Sequence, residues 1–159
     1  MSRTADLAQK IADIVTAREL SVGVAESLTG GMIGSRISDV PGASKVFRGS
    51  IVSYASDVKF DVLGVPEGPV VSAEAAKAMA AGARKVLGAD VGVAVTGVAG
   101  PDSQDGFEPG TVCVGLDLGR LGGDTGPEAV EVRLPGDRQQ VRQFSVITAL
   151  SALRERLLD

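Results

Sequence analysis

Residues Ser21-Val22-Gly23-Val24-Ala25-Glu26-Ser27-Leu28-Thr29-Gly30-Gly31 hold a short β-prone run that gives way to a polar, glycine-rich turn. Valines at 22 and 24, with no room for helical turns, predict a strand. Beyond the turn, Ile33, Ile37 and Val40 recur at helical spacing until Pro41-Gly42 stops them. Strand, turn and helix in that order are the building unit of open α/β sheets, which bind ligands at the carboxyl ends of their strands. Upstream, Leu7, Ile11, Ile14 and Val15 lie on one face of a helix near 4–18. Downstream, Val46–Ala55 reads as a strand with an irregularity at Gly49. Ser56-Asp57 opens a helix, with Ser56 as its N-cap and Gly64 as its stop. Ser72 caps an alanine-rich helix to about Leu87, before Gly88. Val91–Thr96 is a central strand, and Asp102–Gly110 is a loop. Thr111–Leu118 and Ala129–Leu134 are strands, and a last helix runs from about Asp137 to Leu158. The order α-β-α-β-α-α-β-β-β-α predicts an α/β layer domain. Its final consecutive strands predict a mixed sheet. No repeat or linker divides the chain, so one domain over 1–159 is expected.

Composition narrows the chemistry. A chain of 159 residues can bury roughly 68–70% of its unfolded surface without a metal or disulfide. Lys plus Arg is 16 and Asp plus Glu is 20, a net charge of −4 with no dense basic run, which argues against nucleic-acid or anionic-membrane partners. Aromatic residues are 3%, too few for base-stacking platforms. The absence of histidine removes imidazole-based triads and His-ligated metal sites. Hydrolysis must then use Ser, Thr, Cys, Asp or Glu as nucleophile, with Lys, Tyr, a carboxylate or water as base. The single Cys113, between Val112 and Val114, reads as core. The amino terminus has no apolar leader and no run approaches 18 apolar residues, so a soluble cytoplasmic protein is expected. A mean hydropathy of +0.20 points to apolar surface between subunits, hence a homo-oligomer.

Three strand ends carry reactive or small residues. In the first, Ser27 stands exposed at the turn, and the Gly30 and Gly31 amides are placed to face an anion or oxyanion. Equally, Ser27 or Thr29 caps the helix and the glycines serve only the turn. In the second, Tyr54, the one tyrosine, precedes Lys59, one of the few ways to build a base without histidine; both also fit as solvated residues. The third is Thr96-Gly97-Val98-Ala99-Gly100-Pro101, where backbone amides can approach a ligand, or an ordinary turn. Ser56-Asp57-Val58-Lys59 matches S-x-x-K literally but lacks the K-T-G and S-D-N companions. Neither a GxGxxG turn nor a P-loop is present. Asp102, Asp105 and Glu108 read as a solvated loop, and Arg138 and Arg142 share a helix face suited to a phosphate or to water.

An ordered set of segments resembles the C-terminal domain of the competence/damage-inducible protein CinA. It comprises Ala25–Gly31, Val40–Ser44, Val52–Lys59, Leu63–Val65, Val71-Ser72, Thr96–Asp102, Pro109–Val112 and Gly136–Arg138 with Arg142. The resemblance covers nearly the whole chain. It implies a three-layer α/β/α domain with a mixed, mostly parallel five-stranded sheet. Its stand-alone members are nicotinamide-nucleotide amidases, which implies hydrolysis of the carboxamide of nicotinamide mononucleotide to nicotinic acid mononucleotide and ammonia. The family nucleophile, in E-S-x-T-G-G, maps to Ser27, and its partners map to Tyr54 and Lys59. Glu26, Thr29, Gly30 and Gly31, then Thr96, Gly97, Ala99 and Gly100, and finally Arg138 and Arg142, are the expected substrate-binding residues. No metal and no cofactor are expected. The nucleotide-pyrophosphatase-like activity of full-length CinA is not expected either. The chain departs from the family at Leu28, at Ser56-Asp57-Val58 and in a longer loop after Pro101. The expected mechanism has Lys59 buried with no close carboxylate, sharing a hydrogen bond with Tyr54, and oxyanion donors near Thr29–Gly31. The alternatives are a non-catalytic nucleotide- or phosphate-binding module acting through a protein partner, and a hydrolase for another amide or ester.

Overall fold

Bulky and small residues alternate along three stretches, Val22-Gly23-Val24-Ala25, Val91-Gly92-Val93-Ala94-Val95 and Val112-Cys113-Val114-Gly115-Leu116. In the structure, a computed structural model that describes residues 2–159, this alternation becomes two unlike faces of one sheet. The strands are β1 (Val22–Glu26), β2 (Phe47–Val52), β3 (Val91–Gly97), β4 (Thr111–Asp117) and β5 (Glu128–Arg133), in the spatial order β2-β1-β3-β4-β5. β1 pairs in parallel with β2 and β3; β4 runs antiparallel to both β3 and β5. The sheet is therefore mixed: β2, β1 and β3 pair in parallel side by side, and β4 alone runs against the other four strands.

The valine face packs on α1 (Arg3–Ala17), α2 (Met32–Ser38) and α5 (Arg138–Leu157). Ile11, Val15, Leu150 and Leu153 are fully buried there, each contributing roughly 1.5–3 kcal/mol. The small-residue face takes α3 (Ser56–Leu63) and α4 (Ala73–Leu87). There the backbones nearly touch: a Cβ on Gly115 would lie 2.1 Å from the Ala76 carbonyl oxygen. Helices on both faces make the α/β/α arrangement.

Local signals place most boundaries. The Ser72 hydroxyl accepts from the Ala75 amide, and Asp137 and Gln140 form a reciprocal capping box at the start of α5. The ends of β3, β4 and β5 shift by one residue from expectation, and two further differences bear on the site. Ser56 is the first residue of α3, not its cap; Ala55 takes the cap position, its carbonyl closing the first turn with the Lys59 amide. β2 ends at Val52 instead of Ala55, because the carbonyls of Ser53 and Tyr54 turn to the Lys59 ammonium.

Candidate active site

The carboxyl ends of the three parallel strands converge on one cavity of about 310 Å³. Ser27 and Leu28 reach it from β1, Tyr54 from beyond β2, Gly97–Pro101 from β3, and Arg138 from the first turn of α5. Ser27, expected exposed, is only 8% exposed and sits in the cavity wall. Alternation along β1 sends Val22, Val24 and Glu26 toward α2 and Gly23 and Ala25 toward α3 and α4. Ser27 is next in that second series, on the side where α3 carries Lys59.

Glu26 does not face the cavity. Its carboxylate is fully buried and accepts from five donors: the hydroxyls of Thr29 and Ser50, both at 2.6 Å, and the amides of Gly31, Ile33 and Gly34 at 2.9–3.2 Å. It anchors the first turn of α2 and ties it to β2. This corrects the substrate-binding expectation for Glu26 and for Thr29, whose side chain is buried on that carboxylate. The Gly31 amide is engaged there too, and the Gly30 amide donates to the Ser27 carbonyl at 3.0 Å. Neither glycine amide is available to an oxyanion. Gly30 and Gly31 instead supply the left-handed backbone of the turn, at φ +59° and +106°.

Lys59 is 1% exposed. Its Nζ donates to the main-chain carbonyls of Ser53, at 2.7 Å, and Tyr54, at 3.2 Å. Ser53 in turn donates through both its amide and its hydroxyl to the Glu26 carbonyl, so the ammonium is tied through Ser53 to the end of β1. Burial lowers the Lys59 pKa from 10.5 to about 8, against a smaller opposing pull from the carboxylate of Asp105. As expected, no carboxylate pairs with Lys59: among the described residues none lies within 4.0 Å of its Nζ, and the pull of Asp105 acts from beyond that distance. The hydrogen bond shared with Tyr54 differs from expectation, because Lys59 takes the tyrosine's carbonyl and leaves its hydroxyl to another partner.

That hydroxyl, on a side chain 57% exposed, accepts from Arg138 at 2.7 Å. Arg138 also donates to the Gly100 carbonyl at 2.6 Å, joining the ends of β2 and β3 across the cavity. Arg142, one turn on, is not in the cavity wall. Its Nε holds the Leu28 carbonyl at 2.8 Å, so it fixes the serine turn from behind. Thr96 likewise turns away: its hydroxyl is buried on the Val70 carbonyl at 2.7 Å. Gly97, Ala99 and Gly100 do line the cavity. Ser50, Ser53 and Gln104 escaped the sequence reading, and Asp102, read as part of a solvated loop, lies with Gln104 in the cavity wall. The signal for the two serines is that they flank the apolar pair Ile51-Val52, where a hydroxyl drawn out of water needs a partner. Cys113 lies in the core, where burial and Glu131 push its thiol up to about 11. Among the described residues no group of three Cys, Asp or Glu side chains is arranged to hold a metal ion, and no helix is long and apolar enough to cross a membrane.

Residues 4–157 match the family model of the CinA C-terminal domain. A CinA-like protein of Frankia casuarinae is 47% identical over 149 residues, covering 91% of this chain and 33% of that protein. A CinA-like protein of Geobacter metallireducens is 42% identical over 146 residues, covering 88% and 34%. The chain thus spans about a third of the length of the curated relatives it matches. Among solved structures, the competence/damage inducible protein of Agrobacterium tumefaciens is similar at 32% identity and a TM-score of 0.88, over 98% of this chain and 96% of that one. A CinA superfamily protein of Klebsiella pneumoniae has a TM-score of 0.89 at 28% identity, over 98% of both. Fold, strand-end segments and family model agree, and the chain belongs to the CinA C-terminal domain family.

Proposed function

We propose that the protein hydrolyses the carboxamide of nicotinamide mononucleotide to nicotinic acid mononucleotide and ammonia. The observation that carries this reading is the Lys59 amine, buried at the end of β1 with only two main-chain carbonyls as partners. A neutral amine has two N–H groups and one lone pair. With both N–H groups on carbonyls, the lone pair is left for the Ser27 hydroxyl proton. Ser27 Oγ attacks the carboxamide carbon as Lys59 takes that proton. Collapse of the tetrahedral intermediate breaks the C–N bond, and Lys59 returns the proton to the departing ammonia. Water then attacks the acyl ester, giving one proton to Lys59 and, through it, restoring Ser27.

The oxyanion needs donors other than the glycine amides. The Leu28 and Thr29 amides, which no acceptor takes among the described residues, fill that role; one such donor is typically worth ~2.7–4 kcal/mol. Tyr54 contributes the cavity wall and the tether of Arg138, whose remaining N–H groups suit a phosphate. The cavity volume suits a small nucleotide. A cytoplasmic homo-oligomer acting on that nucleotide, without nucleic acid, metal or cofactor, completes the proposal.

The test is ammonia release from nicotinamide mononucleotide, nicotinamide riboside and nicotinamide. The wild type should act on the mononucleotide, and Ser27→Ala should be folded and inactive. An undiminished rate in Ser27→Ala overturns the assignment, and tight binding by the wild type without turnover favours the binding-module alternative.

A further inference from the structure

Two side chains of opposite charge line the cavity without neutralising each other. Arg138 places its hydrogen bonds on neutral acceptors, the Gly100 carbonyl and the Tyr54 hydroxyl. Asp102 is the one carboxylate in the cavity wall. Among the described residues no cation lies within 4.0 Å of it. The other acids nearby are committed elsewhere: Glu26 is sealed by its five donors, and Asp105 is directed at the Val70 amide. Opposite charges sharing a pocket gain by pairing, unless the scaffold holds them apart. Here Arg138 is fastened to the Gly100 carbonyl and the Tyr54 hydroxyl, and no ion pair joins it to Asp102. The cavity therefore presents one open positive and one open negative group, and its natural complement is a ligand carrying one of each.

The substrate class proposed above is such a ligand. Its phosphate is anionic, and its ring, alkylated at nitrogen by the ribose, is a pyridinium cation. Free nicotinamide has neither charge, and the reduced mononucleotide keeps the phosphate but has a neutral dihydropyridine ring. We infer that Asp102 is a specificity-determining residue that reads the positive charge of the ring while Arg138 holds the phosphate, a reading that rests on the amidase proposal. Choosing the cationic ring also selects the more reactive amide, because the pyridinium withdraws electrons from the carboxamide carbon.

Ser27→Ala protein holds the ligand without turnover and allows equilibrium binding to be measured by calorimetry. It should bind the oxidised mononucleotide about tenfold more tightly than the reduced one, the advantage of a partly screened charge pair. Adding Asp102→Asn, which keeps shape and removes charge, should bring that ratio close to one by weakening the oxidised form, and Asp102→Glu should restore part of it. A ratio unchanged by Asp102→Asn, equal binding of the two forms, or binding of neither overturns the inference. Preference that depends on Asp102, in a wild type that releases no ammonia, overturns the amidase reading alone. Ammonia release with a preference indifferent to Asp102 overturns this one alone.

Discussion

Glu26 and Lys59 are both ionisable, both almost wholly excluded from water, and both placed where a parallel strand gives way to a helix. Their surroundings differ in kind. Glu26 meets five hydrogen-bond donors, three of them amides at the start of α2. Lys59 meets two neutral carbonyls, and burial pulls its pKa to about 8. A buried charge with a full set of partners is scaffold; one with a partial set gives up its proton easily and is a reagent. The contrast teaches that burial alone does not mark a functional residue, whereas burial with an incomplete set of partners does.

The largest expected effect breaks the reagent side of this contrast. Lys59→Met should reduce ammonia release on the order of 10²–10⁴-fold, the usual span for losing a general base. Its unfolding free energy in urea should stay within about 2 kcal/mol of wild type, since removing a desolvated amine offsets the two carbonyls left unpaired. Large destabilisation with intact turnover would make Lys59 scaffold.

Glu26→Ala tests the other side. Five donors lose their acceptor, three of them main-chain amides that cannot be redesigned away, and stability should fall by about 3–5 kcal/mol. Urea unfolding measures it. An activity loss at unchanged stability would return Glu26 to the substrate.

The smallest effect sharpens the comparison through pH. An amine at 10.5 in the unfolded chain and about 8 in the native one disfavours folding by roughly 3 kcal/mol while both states are protonated, below about pH 8. Between about 8 and 10.5 the unfolded chain binds more protons, so stability should rise with pH and then level off. The same titration frees the base, so the rate should climb through about pH 8. Lys59→Met should lack this part of the stability rise when wild type and variant are unfolded across the same pH series.

Much of the architecture was legible because it is local. Helical spacing gave α1 and α5, capping gave the start of α4, and turn residues marked all three strand ends of the cavity. The bulk–small alternation in β1, β3 and β4 lies in the sequence but passes there for continuous apolar character; the structure shows that its small face takes a closely packed helix. Gly92 and Gly115 are there so that the carbonyls of α4 can lie against the sheet.

The partners of polar atoms were not legible. Nothing near position 96 says that the threonine hydroxyl ends on Val70, and nothing near position 142 says that the arginine grips the Leu28 carbonyl. The motif around Ser27 marked a reactive turn, yet gave Glu26, Thr29, Gly30 and Gly31 the same standing, though these four build the turn and the serine uses it. The sequence by itself determined the order of elements, the strand ends and the absence of imidazole, because periodicity, capping and composition are properties of neighbouring residues. Tertiary structure alone decided which charge is satisfied and which is left reactive, because that depends on donors and acceptors delivered by elements far apart in the chain.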